Sequence, residues 1–239
     1  MRHALLLLLL SACHRERPGD DATGPKAEAR CAQSALCDGD IRVSTQAELG
    51  TAAQCREVSG QLDINGLAWL TRLDLPCLVS VGDLHIERNP ALVAVALPAL
   101  ASVSHQLVIN DNQVLLSLVA PSLASVGKAL FIQAHPNLGS IAMPSLVTVG
   151  DQLDIFQNQA LVRIDLPVLA SVADWLYILD NDALRVLDGM PALRLAGAGL
   201  GVYGNASLCQ VDALTFAHTF FVDGDSRVED NGSGRSDCD

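Results

Sequence analysis

The segment Leu84-His-Ile-Glu-Arg-Asn89-Pro-Ala-Leu-Val-Ala-Val-Ala-Leu-Pro98 decides the fold, because the chain repeats its pattern about every 23 residues. In each repeat a strand-like Leu-x-Ile or Leu-x-Val comes first, and a second apolar set then leads to a proline. A regular period of this kind predicts an all-β solenoid of about seven leucine-rich coils. Successive prolines lie 22, 23, 23, 23 and 24 residues apart, at Pro76, Pro98, Pro121, Pro144, Pro167 and Pro191.

Each coil is expected to contribute one short strand to a parallel sheet, with alternate side chains pointing into the core. In the quoted repeat, Leu84 and Ile86 are predicted to point inward, whereas His85 and Glu87 point outward. The same inward pair recurs along the chain as Leu62/Ile64, Leu107/Ile109, Leu130/Ile132, Leu153/Ile155, Leu176/Ile178 and Leu200/Val202.

An asparagine follows the strand in five of the seven repeats, at the point where the chain must turn. A column of buried amides at this corner can hydrogen-bond the backbone of adjacent coils, so a structural role is predicted rather than a catalytic one. His135 takes this position once, and the first coil has Leu67. The five asparagines are Asn89, Asn112, Asn158, Asn181 and Asn205.

The charge and the missing motifs exclude several functions. The chain carries 15 Lys and Arg against 27 Asp and Glu, a formal net charge of −12, which repels the phosphates of nucleic acids. The sequence has no nucleophile elbow, phosphate-binding loop or paired zinc cysteines, so we expect no enzyme, cofactor, metal or small-molecule substrate. Asp63, His85 and Glu87 are interpreted as solvated polar residues, and the acidic tail from Asp223 lacks the spacing of an EF-hand loop.

The N-terminus resembles a bacterial lipoprotein signal. An apolar run over 4–10 leads into Leu10-Ser11-Ala12-Cys13, which matches the lipobox that a lipoprotein signal peptidase cleaves before the cysteine. The resemblance implies a signal peptide over 1–12 and an acylated Cys13 that anchors the protein to a membrane of the bacterial cell envelope. His14, where an Asp would retain such a protein in the inner membrane, favours the outer membrane. An ordinary secretory signal that contains a cysteine is the alternative reading.

The residues around the next cysteines resemble the opening of the receptor L domain of insulin and epidermal growth factor receptors. The resemblance lies in Cys37-Asp-Gly-Asp-Ile-Arg42 and in Cys55-Arg-Glu-Val-Ser-Gly-Gln-Leu-Asp-Ile64. It implies a right-handed β-solenoid over 37–239 with Cys37 bonded to Cys55, and it leaves 13–36 as a flexible tether after the signal. Cys209 and Cys238 are the expected pair at the other end, while Cys31 either pairs with Cys77 or is free.

A stack of coils exposes an open sheet edge at each end, so caps are expected. Thr45-x-x-Glu48 is a capping box, and it predicts a short helix over 46–54 that covers the N-terminal end of the solenoid.

Aromatic residues are scarce in this chain, and the strand alternation assigns five of the nine to one outward face. We hypothesise that this face binds a protein or glycan partner, because exposed apolar patches with Trp and Tyr often mark interaction sites. The alternatives are that the rings only strengthen the sheet or that a terminal segment covers them. Two functions remain, a recognition or adhesion module and a passive envelope spacer. The predicted binding residues are Phe131, Phe156, Trp175, Tyr177, Leu179 and Tyr203.

Overall fold

The described residues fold into a parallel β-solenoid. The computed structural model describes Cys31 and residues 35–232, which are mostly β with two short helices. The solenoid has about eight turns, so the prediction of about seven coils is close but low. Ile41–Val43 adds a strand before the first predicted inward pair and Asp225–Glu229 adds one after the last, so nine stacked strands are joined by about eight turns.

The largest surface, here called the long face, is a row of parallel strands in which each coil contributes one strand. Neighbouring strands pair in register, so that Leu84 lies beside Leu107 and Leu130 beside Leu153. The strands of the long face are Ile41–Val43, Cys55–Asn65, Ser80–Glu87, Leu107–Asn110, Leu130–Gln133, Leu153–Phe156, Trp175–Leu179, Gly199–Tyr203 and Asp225–Glu229.

A second row of short strands belongs to the same 16-stranded sheet, because Cys55–Asn65 and Ser80–Glu87 run through both rows. A separate sheet of five strands forms another side of the coils. The short row contains Ala35–Cys37, Ser102–Val103, Ser125–Val126, Thr148–Val149, Ser171–Val172, Leu195–Ala196 and Phe221–Val222. The five-stranded sheet contains Arg72–Asp74, Ala94–Ala96, Ser117–Val119, Ser140–Ala142 and Arg163–Asp165.

The apolar core fills the space between these rows. Every residue of the seven predicted inward pairs is buried, from Leu62 and Ile64 to Leu200 and Val202. The alternation of the sequence therefore assigned the inner and outer sides of the long face correctly.

Two helices interrupt the strands. The first, Gln46–Ala52, begins at the predicted capping box, in which Thr45 Oγ1 accepts from the Glu48 N–H at 3.2 Å and Glu48 Oε2 accepts from the Thr45 N–H at 2.9 Å. It ends two residues earlier than predicted. The second, Gln210–Ala217, lies in the last coil and was not predicted.

The predicted asparagine column is a continuous hydrogen-bonded ladder, here called the amide ladder. At Asn158, Nδ2 donates to the Ile132 carbonyl at 2.9 Å, and Oδ1 accepts from the His135 N–H at 3.2 Å. Each member repeats this pattern, so a side chain of one coil satisfies backbone groups of the coil before it. The buried members are Asn89, Asn112, His135, Asn158, Asn181, Asn205 and Asn231.

The C-terminal end of the ladder was missed by sequence reasoning. Asn231 occupies the ladder position of the last coil and donates to the Val202 carbonyl at 2.9 Å. Gln210, from the second helix, then takes the place of a further ladder residue, because its Oε1 accepts from Asn231 Nδ2 at 3.2 Å. Its Nε2 donates to the Val228 carbonyl at 2.8 Å, so the Gln210 side chain both accepts and donates as a ladder asparagine does.

The residue before each ladder position has a left-handed backbone conformation. Gly66 and Gly204 adopt it easily, whereas side chains with a Cβ pay roughly 1–2 kcal/mol for it. That strain is tolerated because the ladder holds the next residue in place. The non-glycine residues at this position have φ values from 52° to 58° and are Arg88, Asp111, Ala134, Gln157, Asp180 and Asp230.

His135 replaces an amide by using both ring nitrogens. Its Nε2 lies 3.1 Å from the Ile109 carbonyl, and its Nδ1 lies 3.3 Å from the Asn112 backbone nitrogen. These partners require a neutral ring in which Nε2 donates and Nδ1 accepts. Burial lowers the pKa of His135 to about 4, because the protonated ring would lose its hydration and its Nδ1 acceptor.

Two disulfides confirm the predictions for the N-terminal cysteines. Cys37 is bonded to Cys55, and Cys31 is bonded to Cys77, which resolves the choice that the sequence left open. Cys209 also forms a disulfide, and its predicted partner Cys238 lies outside the described residues. The predicted signal over 1–12 and the lipidation site Cys13 lie outside them as well.

Replacing Asn158 by Leu should lower the free energy of unfolding by about 2–5 kcal/mol, because the Ile132 carbonyl and the His135 N–H both lose a buried partner. Urea unfolding followed by circular dichroism measures the change. The control is the neighbouring exposed Gln159→Leu, expected to change stability by less than about 0.5 kcal/mol. Equal losses in the two variants would contradict a structural role for the ladder.

His135→Asn should remove one source of acid sensitivity. Between pH 6.5 and 4 the unfolded chain binds a proton at His135 that the folded chain does not, so the stability from this group falls as the pH falls through that window. Relative to the wild type, the variant should gain about 3 kcal/mol on going from pH 7 to pH 4. Urea unfolding at a series of pH values measures this difference, with the exposed His218→Asn as control. A difference that stays constant with pH would overturn the assignment.

Candidate binding face

The six predicted binding residues lie together on four consecutive strands of the long face. Register places Phe131 beside Asp154 and Asp154 beside Tyr177 in one outward column. In the next column Phe156 lies beside Leu179, and Leu179 beside Tyr203. The term aromatic patch is used below for Phe131, Phe156, Trp175, Tyr177, Leu179 and Tyr203.

All six side chains of the patch are half-buried. They are outside the core, as the alternation of the sequence predicted, but they are only partly exposed to solvent. The C-terminal strand Asp225–Glu229 pairs with Gly199–Tyr203 and so extends the sheet by one strand beyond the patch.

Trp175 and Tyr177 owe their position to two glycines on the next strand. Their rings are parallel to within 4°, and the ring centroids are 5.0 Å apart. A Cβ added at Gly199 would lie 2.3 Å from the Trp175 ring, and one added at Gly201 would lie 2.5 Å from the Tyr177 ring. The rings therefore lean across the neighbouring coil into space that only glycine leaves open, which explains why they are half-buried.

The Tyr203 ring, at the end of the patch, contacts a cation from the same chain. The Arg227 guanidinium lies 4.3 Å from the centroid of the Tyr203 ring and hydrogen-bonds Glu229 in the same strand. An aromatic ring and a carboxylate thus bind one guanidinium between them, a favourable arrangement for a cation.

Asp154 is the one charged residue on the four strands that carry the aromatic patch, and sequence reasoning did not select it. Its Oδ2 accepts from Gln133 Nε2 at 2.8 Å and from Gln152 Nε2 at 3.4 Å, while Oδ1 is buried without a hydrogen-bond partner in the part of the chain that the structure describes. Burial raises the pKa of Asp154 to about 6. The sequence contained one signal that could have identified Asp154. It is a single acid at the strand position that Phe131 and Tyr177 occupy in the adjacent repeats.

The other half of the long face is polar and internally paired. Arg42 Nε lies 3.0 Å from Asp63 Oδ2, Gln61 Nε2 lies 3.1 Å from His85 Nδ1, and His85 Nδ1 lies 3.5 Å from Glu87 Oε1. Asp63 is buried, and His85 Nε2 is buried without a hydrogen-bond partner among the described residues. Over residues 35–232 and Cys31, no group of three or more His, Cys, Asp and Glu side chains is arranged to hold a metal ion.

An apolar cleft of about 390 Å³ lies away from the patch, between the second helix and residues 186–191 of an earlier coil. Met190 and Phe216 lie at its base, and Val186, Asp212 and Thr219 also line it. It contains none of the predicted binding residues.

Family models, curated proteins and solved structures contain no match to this chain. No helix within the described ranges has both the length and the apolar character needed to cross a bilayer.

Proposed function

We propose that this protein is a membrane-anchored bacterial lipoprotein whose β-solenoid is a non-catalytic recognition or adhesion module. The aromatic patch binds a protein or glycan partner. One observation carries this proposal. Six half-buried aromatic or apolar side chains lie together on four in-register strands, toward one end of a face whose other half is polar.

The apolar area of the patch is too small to give a stable complex by itself. If a partner covered about 50 Å² on each of the five half-buried rings, the gross gain would be roughly 6 kcal/mol. Association costs of about 4–15 kcal/mol offset most or all of that gain. The patch alone therefore supplies too little energy, and polar contacts around it are needed for a stable complex.

Further details of the fold belong to the same proposal. We infer a right-handed, leucine-rich solenoid of the receptor L-domain type, with helix Gln46–Ala52 as its N-terminal cap. The Cys37–Cys55 disulfide and the burial of Ala52 against the core support this reading.

An envelope location is proposed from the lipobox at Cys13 and from the disulfides. Disulfides persist in oxidising compartments, which agrees with export from the cytoplasm. Lipid anchoring at the outer membrane would present the solenoid at the end of the segment 13–36.

The alternative is a passive envelope spacer. Eight turns at a strand spacing of about 4.8 Å give a rod of roughly 38 Å, which is short for that purpose. Recognition is preferred because a spacer has no need of aromatic side chains gathered on one face.

Cys13→Ser should release the protein from membranes, because acyl chains on this residue are its proposed anchor. Fractionation of expressing cells and mass spectrometry of the N-terminal peptide measure the effect. Protease digestion of intact cells then reports whether the wild type faces outward. A wild-type N-terminal peptide without acyl chains would overturn the anchoring proposal.

Trp175→Ser combined with Tyr177→Ser should weaken partner binding at least tenfold while preserving the fold, because both rings lie outside the core. The purified protein is tested on arrays of envelope glycans, host glycans and surface proteins. Phe221→Ser is the matched control, since this ring is 63% exposed and lies in the short row away from the patch. Undiminished array binding by the double variant would falsify the proposal.

A further inference from the structure

The buried and half-buried acids of the long face other than Asp154 each have a basic side chain of the same chain within ion-pair distance, whereas the exposed Glu57 and Asp225 have none among the described residues. Asp63 contacts Arg42 at 3.0 Å, Asp83 contacts His105 at 3.1 Å, and Glu229 pairs with Arg227. Asp154 differs, because no Lys, Arg or His within the described residues comes within ion-pair distance of its carboxylate.

The surroundings of Asp154 make a missing counter-ion costly. Asp154 lies between Phe131 and Tyr177 in one outward column, and the donors to its carboxylate within the described residues are the neutral amides of Gln133 and Gln152. A half-buried carboxylate stays ionised at neutral pH at the expense of its hydration, and an opposite charge nearby would offset that loss.

Arg227 shows how this face accommodates a cation. Its guanidinium rests against the Tyr203 ring and is hydrogen-bonded to Glu229, so one cation has an aromatic and a carboxylate contact. Asp154 has a comparable setting without the cation, because register places Phe131 and Tyr177 beside it on the two adjacent strands, and no basic side chain of the described residues is paired with it.

We propose that the aromatic patch recognises a protein segment that presents an arginine or lysine side chain, whose cation lies against Tyr177 and is the counter-ion of Asp154. This inference rests on the proposed function and specifies the partner. A cation reaches the carboxylate when the Gln152 amide turns away, since its 3.4 Å contact with Oδ2 is the longer of the two. Gln133, at 2.8 Å, stays in place and holds the carboxylate.

The net negative charge of the chain favours a basic protein over a glycan as the partner. The chain has a net charge of −12, so anionic polysaccharides are repelled at long range and basic segments are attracted. A neutral glycan could stack on the rings but would leave Asp154 without a counter-ion.

The test compares a hexaarginine peptide with a hexacitrulline peptide, which keeps the shape of the side chain without its charge. Calorimetric titration of the purified full chain should give saturable binding to hexaarginine only. Asp154→Asn should weaken that binding about tenfold or more, whereas the exposed Asp182→Asn, which changes the net charge equally, should leave it nearly unchanged. Gln152→Ala should preserve or strengthen it.

The outcomes separate this inference from the proposed function. Equal affinities for Asp154→Asn and Asp182→Asn, or equal binding of the two peptides, would overturn the cation inference. If the Trp175/Tyr177 double variant still loses array binding in that case, the patch remains a binding site for a partner of different chemistry. If the double variant keeps array binding, both the cation inference and the proposed binding function of the patch are overturned. Thermal unfolding of each variant shows that the fold is retained.

Discussion

The amide ladder is the interaction on which the rest of the structure depends. It lies at the corner where each coil leaves the long face, and strand pairing cannot satisfy the backbone there. Every ladder side chain accepts from one backbone N–H and donates to one backbone carbonyl of the preceding coil, as Asn181 does with Asn158 and Ile155. The ladder therefore fixes the register of successive coils, and a left-handed residue before each member turns the chain toward it.

In-register stacking converts a linear repeat into columns of side chains. The inward columns are uniform because the core must be filled in every coil, whereas the outward columns are free to vary. That freedom divides the long face into a polar half around His85 and an apolar half around Tyr177. Gly199 and Gly201 complete the apolar half, because they allow the rings of the preceding strand to lie across the coil.

Electrostatics follows the same division. In the polar half Asp63 contacts Arg42 and Asp83 contacts His105, and in the C-terminal strand Glu229 contacts Arg227. Asp154, between these regions, accepts from two amide donors and has no basic partner within the described residues. The partner that we propose, a protein segment with a basic side chain, would add to this small apolar surface the opposite charge that Asp154 lacks among the described residues.

The sequence by itself determined the solenoid, the inward pairs, the residues of the aromatic patch, the asparagine column and the capping box at Thr45. These features repeat at fixed spacing or lie within a few residues, so they can be read along the chain. Only the tertiary structure decided how the ladder ends on Gln210, how Trp175 rests over Gly199, that Cys31 pairs with Cys77, and that Asp154 has no counter-ion in the part of the chain that the structure describes. The physical reason is that each of these depends on which side chains of different coils meet, and no local period encodes that.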